Sequence, residues 1–185
     1  MKPHFLPNDL LMFYKYLDNA TNYFEFGSGG STYQSSIRPN IKSIYSVESD
    51  PIWFQKVKKE INNSKINFLF CDMETIPNTW GNPGENSSFE SWKNYSDKII
   101  ARKNIDFLLI DGRFRVACCL KSFSSLDENS YICFDDFLNR SNYHVVLDYF
   151  KIVDQTVDKC MVILQKKNVE NPSQELIEKY EKIKH

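Results

Sequence analysis

The feature that most constrains this chain is a regular alternation of short apolar runs with amphipathic segments. Alternating strands and helices predict a parallel sheet with helices packed on both faces. One run, residues 104–112, is apolar enough to be buried on both faces, as central strands of such sheets are. We therefore expect an α/β, Rossmann-like, doubly wound fold. The five predicted strands lie at residues 23–26, 41–49, 65–73, 104–112 and 130–137.

The C-terminal region departs from this alternation. Residues 151–157 and 159–167 form two strand-like runs with no helical segment between them. Their proximity predicts an antiparallel hairpin joined at Asp158. A charged segment over 168–185 predicts a C-terminal helix, and Tyr143 to Phe150 is expected to be helical.

Two further segments complete the predicted organisation. Residues 1–20 carry an N-terminal helix, because apolar side chains recur there at helical spacing. Residues 74–100 interrupt the alternation with proline, glycine, serine and tryptophan, although a short helix is expected around 97–100. A loop of that length in a compact domain is usually functional. We expect one domain over 1–185, since the chain is too short for two sizeable cores.

Composition excludes several classes of protein. The 23 lysines and arginines balance 24 aspartates and glutamates, which argues against a polycationic nucleic-acid binder. No apolar run approaches the roughly 20 residues that span a bilayer, and no signal-peptide pattern opens the chain. The five cysteines include no C-x-x-C pair, which is typical of reduced, buried thiols. We expect a cytoplasmic protein with no nucleic-acid or membrane partner; a homo-oligomer stays open.

The first predicted strand ends in a glycine-rich turn, E-F-G-S-G-G-S over 25–31. Glycines 27 and 29 would let the backbone turn sharply and approach a ligand closely. A carboxylate at Glu48, where the second strand ends, can accept both hydroxyls of a ribose. A dinucleotide fingerprint would need glycine at position 32, where Thr32 stands. Glu25, two residues before the first glycine, suits an ammonium group better than a diphosphate, so the pattern favours a nucleoside that carries a cation.

Each predicted strand delivers a carboxylate to the same edge of the sheet, where doubly wound folds bind ligands. In this order and spacing the motifs resemble the class I S-adenosylmethionine-dependent methyltransferases. The resemblance covers about residues 20–167, includes the antiparallel strand pair, and is similar to small methyltransferase-domain families. Its carriers are the turn at 25–31, Val47-Glu48-Ser49-Asp50, Cys71-Asp72-Met73, Leu109-Ile110-Asp111-Gly112 and Asp135-Asp136.

The resemblance implies S-adenosylmethionine as cofactor and a methyltransferase-like domain over the whole chain. It implies that Glu25 meets the methionine amino group, that Glu48 holds the ribose hydroxyls and that Asp72 meets the adenine amino group. The two turn glycines would pack beneath the cofactor. The candidate cofactor residues are Glu25, Gly27, Ser28, Gly29, Ser31, Glu48, Ser49, Asp72, Met73 and Asp111.

Three carboxylates, Asp111, Asp135 and Asp136, follow two strands that are neighbours in such a sheet. Like charges that close need a cation or raised pKa values, and oxygen ligands suit Mg²⁺ or another divalent cation. The arrangement resembles catechol-type O-methyltransferases, although these carry an Asp-Asn pair where this chain has Asp-Asp. The alternative is that one aspartate caps a helix and another contacts an arginine.

Three of the five arginines follow the same strand ends: Arg113, Arg115 and Arg140. Arginine makes bidentate contacts with carboxylate or phosphate, which predicts an anionic acceptor or, alternatively, an internal salt bridge. For catalysis we single out His144 as a proton acceptor, Asp111 as the alternative base, and Arg113.

The 74–100 segment is expected to lie on the acceptor side of the site. Trp80, Trp92 and Tyr95 would present aromatic faces to a sugar or an aromatic acceptor, or would pin the loop. Arg115 and Arg140 are the other acceptor candidates.

The predicted activity is O-methylation of a small-molecule or sugar/glycan hydroxyl. The alternatives are a non-catalytic binding module of the same fold and, disfavoured by Thr32, an NAD-dependent oxidoreductase. A nucleic-acid methyltransferase is disfavoured by the charge balance and by the absence of an N-P-P-Y-type motif.

Overall fold

The computed structural model describes residues 1–100, 102–157 and 160–184. Its centre is a seven-stranded sheet in the order β3-β2-β1-β4-β5-β7-β6. Strands β1 to β5 pair in parallel, whereas β7 is antiparallel to both of its neighbours. The strands are β1 (Asn22–Phe26), β2 (Ser43–Glu48), β3 (Ile66–Phe70), β4 (Phe107–Ile110), β5 (Tyr131–Phe134), β6 (Phe150–Gln155) and β7 (Val162–Lys166).

Six α-helices of the described residues surround the sheet, and the expected α/β, doubly wound architecture with its antiparallel C-terminal pair is confirmed. The predicted hairpin joint at Asp158 lies outside the described residues. The helices are α1 (Pro7–Leu17), α2 (Gly30–Ser36), α3 (Pro51–Glu60), α4 (Phe89–Ser96), α5 (Arg115–Ser122) and α6 (Gln174–Glu181).

Two segments differ from the expected helices. The segment predicted over 143–150 is a 3-10 helix over Ser141–Asp148, and Phe150 already belongs to β6. The helix expected around 97–100 begins earlier, as α4, because the Ser88 side chain caps it by accepting the backbone N–H of Ser91. Only its last turn, Asp97–Ile99, continues as a 3-10 helix.

Apolar side chains of the surrounding helices cover both faces of the sheet. On one face α1 packs Phe13 against Tyr23 and Phe107. On the other face α5 and α6 cover a larger cluster that includes Phe26 and Phe134. The carboxyl ends of β1, β2, β4 and β5 are therefore held at one edge by a packed core.

None of the five cysteines, all of which the structure describes, forms a disulfide: Cys71, Cys118, Cys119 and Cys133 are buried and Cys160 is half-buried. Burial raises the pKa of the Cys118, Cys119 and Cys133 thiols well above the usual value, which disfavours the reactive thiolate. Within the described ranges, no helix combines the length and the hydropathy needed to cross a membrane.

Candidate functional site

The glycine-rich turn after β1 passes directly over the end of β4. Gly27 has a φ of +100°, and a Cβ there would lie 3.2 Å from the backbone of Asp111 and Gly112. The Gly27 N–H donates to the carbonyl of Val47 at 2.9 Å, which also joins the turn to β2. Only glycine combines this backbone conformation with so close an approach.

Glu25 lies beneath this turn and is completely buried. Burial raises the pKa of its carboxyl group, and hydroxyl donors oppose that shift. One donor, Thr32 Oγ1, also accepts the Gly29 N–H at 2.8 Å, so the carboxylate orders the turn from inside. Any contact between Glu25 and a ligand would run through these hydroxyls in this conformation. The four donors to Glu25 are the hydroxyl groups of Tyr23, Ser31, Thr32 and Ser46.

Glu48, at the end of β2, lies beside the same turn. Its carboxylate accepts the backbone N–H groups of Ser28 at 3.1 Å, Ser49 at 2.7 Å and Asp50 at 2.9 Å. Burial raises the pKa of Glu48 to about 7, although the three N–H donors favour the charged form. One carboxylate thus links the glycine turn to the residues that follow β2, and these are the two segments that would flank a nucleoside.

The two candidate residues after β3 differ in their exposure to solvent. Asp72 is exposed and accepts the Glu74 N–H at 2.8 Å, whereas Met73 is fully buried. Asp72 is therefore open to a ligand, and Met73 belongs to the core beneath it.

Trp53, on the first turn of α3, was not predicted as a site residue. Its indole N–H donates to the Ser28 carbonyl at 2.7 Å, and its ring lies 3.7 Å from where a Gly29 Cβ would be. The signal in the sequence was its position just after the strand-end acids Glu48 and Asp50. Trp53 forms a side wall of the glycine turn.

The three aspartates after β4 and β5 surround the guanidinium group of Arg115. Its nitrogens lie 3.1 Å from Asp111 Oδ1 and 3.5 Å from Oδ2 of both Asp135 and Asp136. Burial and the Asp111 charge raise the pKa of Asp135 to about 8, and desolvation raises that of Asp111. Arg140 makes a second contact with Asp136, at 2.7 Å.

This arrangement does not support the expected divalent metal on Asp111, Asp135 and Asp136. Across the described part of the chain, no cluster of three or more histidine, cysteine or carboxylate side chains has metal-binding geometry. Positive charge is supplied to these carboxylates by Arg115 and, at Asp136, also by Arg140, which is the salt-bridge alternative that the sequence left open.

The two other catalytic candidates are His144 and Arg113. The His144 ring packs 5.2 Å from that of Phe137, and its buried Nε2 has no hydrogen-bond partner among the described residues. Arg113 donates from Nη2 to the Lys184 carbonyl at 2.9 Å. Burial lowers the pKa of Arg113.

The aromatic acceptor candidates fall into three environments. Tyr95 is only 1% exposed and packs against Phe26 and Phe114, which makes it a core residue in this conformation. Trp92 is half-buried and stacks on Phe114, whereas Trp80 is 82% exposed. Of the three, Trp80 alone presents its ring to solvent.

The arginine candidates for the acceptor differ in the same way. Arg115 is enclosed by carboxylates, with a side chain 13% exposed, whereas the Arg140 side chain is 45% exposed. Arg140 is therefore the one of the two that an acceptor can reach in this conformation.

The fold is that of the class I S-adenosylmethionine-dependent methyltransferases. A methyltransferase-like protein from Silicibacter pomeroyi is 22% identical with a TM-score of 0.83, over 97% of this chain and 96% of its own. A candidate caffeoyl-CoA O-methyltransferase from Staphylococcus aureus is 18% identical, with a TM-score of 0.57 over 90% and 86%.

A third solved structure, the N-methyltransferase NodS from Bradyrhizobium japonicum, is 12% identical with a TM-score of 0.55, over 86% of this chain and 94% of its own. No protein-family model and no curated protein matches the sequence significantly. The likeness therefore lies in the fold, which these structures share.

Proposed function

We propose that this protein is an S-adenosylmethionine-dependent methyltransferase. The observation that carries the proposal is the Glu48 carboxylate, which accepts the Ser28 N–H of the glycine turn at 3.1 Å within a sheet of this strand order. A nucleoside cofactor needs a hydroxyl acceptor and a close backbone approach at one place. Glu48 and Gly27 supply these two elements.

The residues at this edge fit such a cofactor. Glu48 Oε2 accepts a single backbone N–H and so retains capacity for a ribose hydroxyl. Asp72 is exposed beside it and suits the adenine amino group. Gly27 and Gly29 would support the cofactor, and Ser31, held by Glu25, would face its amino-acid portion.

When bound, the cofactor supplies an electrophilic methyl group. The chain then has to align a nucleophile, exclude water and remove one proton, so positioning provides most of the rate enhancement. We assign the proton acceptor to Asp111, because its backbone touches the glycine turn and its carboxylate is held by Arg115. His144 is the alternative base.

We further propose that the acceptor is a hydroxyl group of a small molecule, sugar or glycan. Asp111-Gly112-Arg113-Phe114 follows β4, where amino-group methyltransferases of the N-P-P-Y type carry their motif. Arg113 and Arg140 beside this edge favour an acceptor with an anionic group. Trp80 would offer its exposed ring to the same molecule.

The first test is calorimetric titration with S-adenosylhomocysteine, the product form of the cofactor. We expect micromolar binding by the wild type and loss of binding by Glu48→Ala. Glu60→Ala, an exposed glutamate at the end of α3, is the matched control and should bind as the wild type does. Absence of binding by the wild type would overturn the proposal, and binding of NAD instead would favour an oxidoreductase.

A second experiment separates an enzyme from a binding module. Tritiated methyl transfer from S-adenosylmethionine is measured with a panel of hydroxylated acceptors, both neutral and anionic. If Asp111→Asn abolishes methyl transfer while S-adenosylhomocysteine still binds, the result supports Asp111 as the proton acceptor. If His144→Ala abolishes transfer instead, the proton acceptor is His144.

A further inference from the structure

The first residues of the chain, 1–6, lie across the glycine turn. A Cβ on Gly30 would come within 2.2 Å of the Lys2 carbonyl carbon and 2.3 Å of the Pro3 nitrogen. Gln34 Nε2 donates to the Met1 carbonyl at 3.1 Å, one helical turn further along α2. This N-terminal segment therefore rests directly on the start of α2.

A second segment, the 76–84 loop, covers the Glu48 side of the same turn. Gly81 lies so close that a Cβ there would meet Ser49 Oγ at 2.8 Å and Glu48 Oε1 at 3.9 Å. The base of the loop is closed by hydrogen bonds such as that from the Ile76 N–H to the Asn82 carbonyl at 2.9 Å.

The tip of the 76–84 loop has a strained backbone. Asn78 and Trp80 have φ values of 60° and 59°, in the left-handed region that side chains other than glycine rarely adopt. Movement of the loop tip would relieve the strain at these two positions.

The N-terminal segment and the 76–84 loop meet above the turn. The ring centroids of His4 and Trp80 are 5.9 Å apart, and this contact leaves Trp80 as a whole 82% exposed. Asp72 is exposed, whereas four of the candidate cofactor residues lie beneath these segments and are at most 8% exposed: Ser28, Ser31, Glu48 and Ser49.

Two surface cavities lie away from Glu48. One, of about 280 Å³, lies between α1 and the end of β6, beside Leu11 and Asp154. The other, of about 290 Å³, lies beside Ile76, Pro83 and Lys184. Because the Lys2–Pro3 backbone lies against Gly30 and Gly81 lies over Ser49 and Glu48, a nucleoside that binds at Glu48 needs these covering segments to move.

We propose that residues 1–6 and the 76–84 loop form a two-part gate over the nucleoside site, latched by His4 against Trp80. The identity of the ligand in this inference rests on the proposed function, whereas the closed geometry does not depend on it. The gate has to part before S-adenosylmethionine enters and again before the product leaves. Gate opening thus limits both association and dissociation.

The test with ligand is stopped-flow binding of S-adenosylhomocysteine. His4→Ala removes the latch. Loss of an aromatic contact of this kind shifts the equilibrium between the closed and the open gate by about two- to tenfold. We expect association and dissociation rate constants to rise together by that factor. Leu11→Ala, on an exposed position of α1, is the control. Unchanged rate constants in His4→Ala, with binding intact, would overturn the gate.

A second variant tests the gate without any cofactor. Gly30→Ala places a methyl group where the Lys2–Pro3 backbone lies, so it should lift the N-terminal segment. We expect the amides of Ser28, Ser49 and Asp50 to exchange hydrogen about tenfold faster, as local opening requires. If the wild type binds no S-adenosylhomocysteine yet this exchange rises, the proposed function fails and the gate stands. Unchanged exchange contradicts the gate.

Discussion

The guanidinium group of Arg115 lies 3.1 Å from the carboxylate of Asp111, four residues earlier, and holds it at the end of β4. The same group lies 3.5 Å from Asp135 and from Asp136. One side chain therefore neutralises charge from two neighbouring strand ends. Its removal leaves the partly buried carboxyl groups of Asp111 and Asp135 without their counter-charge, which is far more damaging than loss of an exposed ion pair.

We predict that Arg115→Ala lowers the free energy of unfolding by about 3–5 kcal/mol at pH 8. Arg140→Ala, which breaks an exposed pair with Asp136, should lower it by less than about 1 kcal/mol. Urea denaturation of both variants measures the difference. Equal losses in the two variants would show that Arg115 does not balance the cluster.

The same geometry predicts that the wild type is indifferent to divalent cations. Millimolar Mg²⁺ or EDTA should leave the midpoint of thermal unfolding unchanged, because a ligand that binds only the folded state raises it. Calorimetry with Mg²⁺ should show no saturable heat. A Mg²⁺-dependent rise in the midpoint, lost in Asp135→Asn, would restore the metal site.

The pKa of Glu48, raised to about 7, predicts pH-dependent cofactor binding. Ribose hydroxyls donate more strongly to the carboxylate than to the protonated acid, so affinity for S-adenosylhomocysteine should fall as the pH drops through that value. We expect a loss of up to about tenfold for each pH unit below 7. Titrations from pH 5.5 to 8.5 measure it, with Glu48→Gln as control. An identical slope in that variant would assign the titration to another group.

Glu48 also predicts how stability depends on pH. Its folded-state pKa lies above the unfolded value of 4.5, so its contribution is largest below pH 4.5 and is lost as the pH rises to about 7. The loss corresponds to about 3 kcal/mol. The free energy of unfolding of Glu48→Gln relative to wild type should therefore increase by up to that amount between pH 4.5 and 8. A constant difference across this range would refute the assignment.

Gly27 and Gly29 should respond differently to alanine. Gly27→Ala forces a side chain into a φ of +100° and within 3.2 Å of the Asp111 backbone, which predicts a loss of about 1–3 kcal/mol. At Gly29 the added Cβ would meet only the Trp53 ring at 3.7 Å, an ordinary contact. Denaturation midpoints distinguish the two. A larger loss at Gly29 would contradict this account of the turn.

The buried pair of Lys121 and Glu181 joins α5 to α6 and offers a further test. Glu181 is fully buried and Lys121 is 6% exposed. Glu181→Ala leaves Lys121 with Asp97 as its remaining ion-pair partner but removes the buried acceptor of Ser96 and Lys121, and we expect a loss of about 1–3 kcal/mol. Glu175→Ala, on an exposed position of the same helix, should stay below about 1 kcal/mol. Thermal unfolding compares the two variants.

The sheet was predictable because its strands carry the apolar pattern of buried parallel strands, and parallel strands place their carboxyl ends together. Glu48 and Asp111 could therefore be assigned to one edge from the order of the runs. A salt bridge from the arginines to the aspartate cluster was one of two alternatives that the sequence left open, and Arg115 forms it with Asp111. The other alternative assigned the charge of that arginine to an anionic acceptor.

The remaining features depend on contacts between distant parts of the chain. Tyr95 sits in a segment without periodicity, so nothing local indicated that it would pack against Phe26. The contact between Lys2 and Gly30 and the position of Gly81 over Glu48 follow from how two irregular segments cross the edge. Sequence patterns specify elements and faces, but they do not specify the path of such segments.

The Gln34 side chain holds the Met1 carbonyl, and Arg113 holds that of Lys184. Both ends of the described chain thus reach the edge that carries the candidate site. A purification tag fused at either end would be anchored next to that edge and would compete with ligands for the space above it. Binding and transfer assays therefore call for protein from which such extensions have been cleaved.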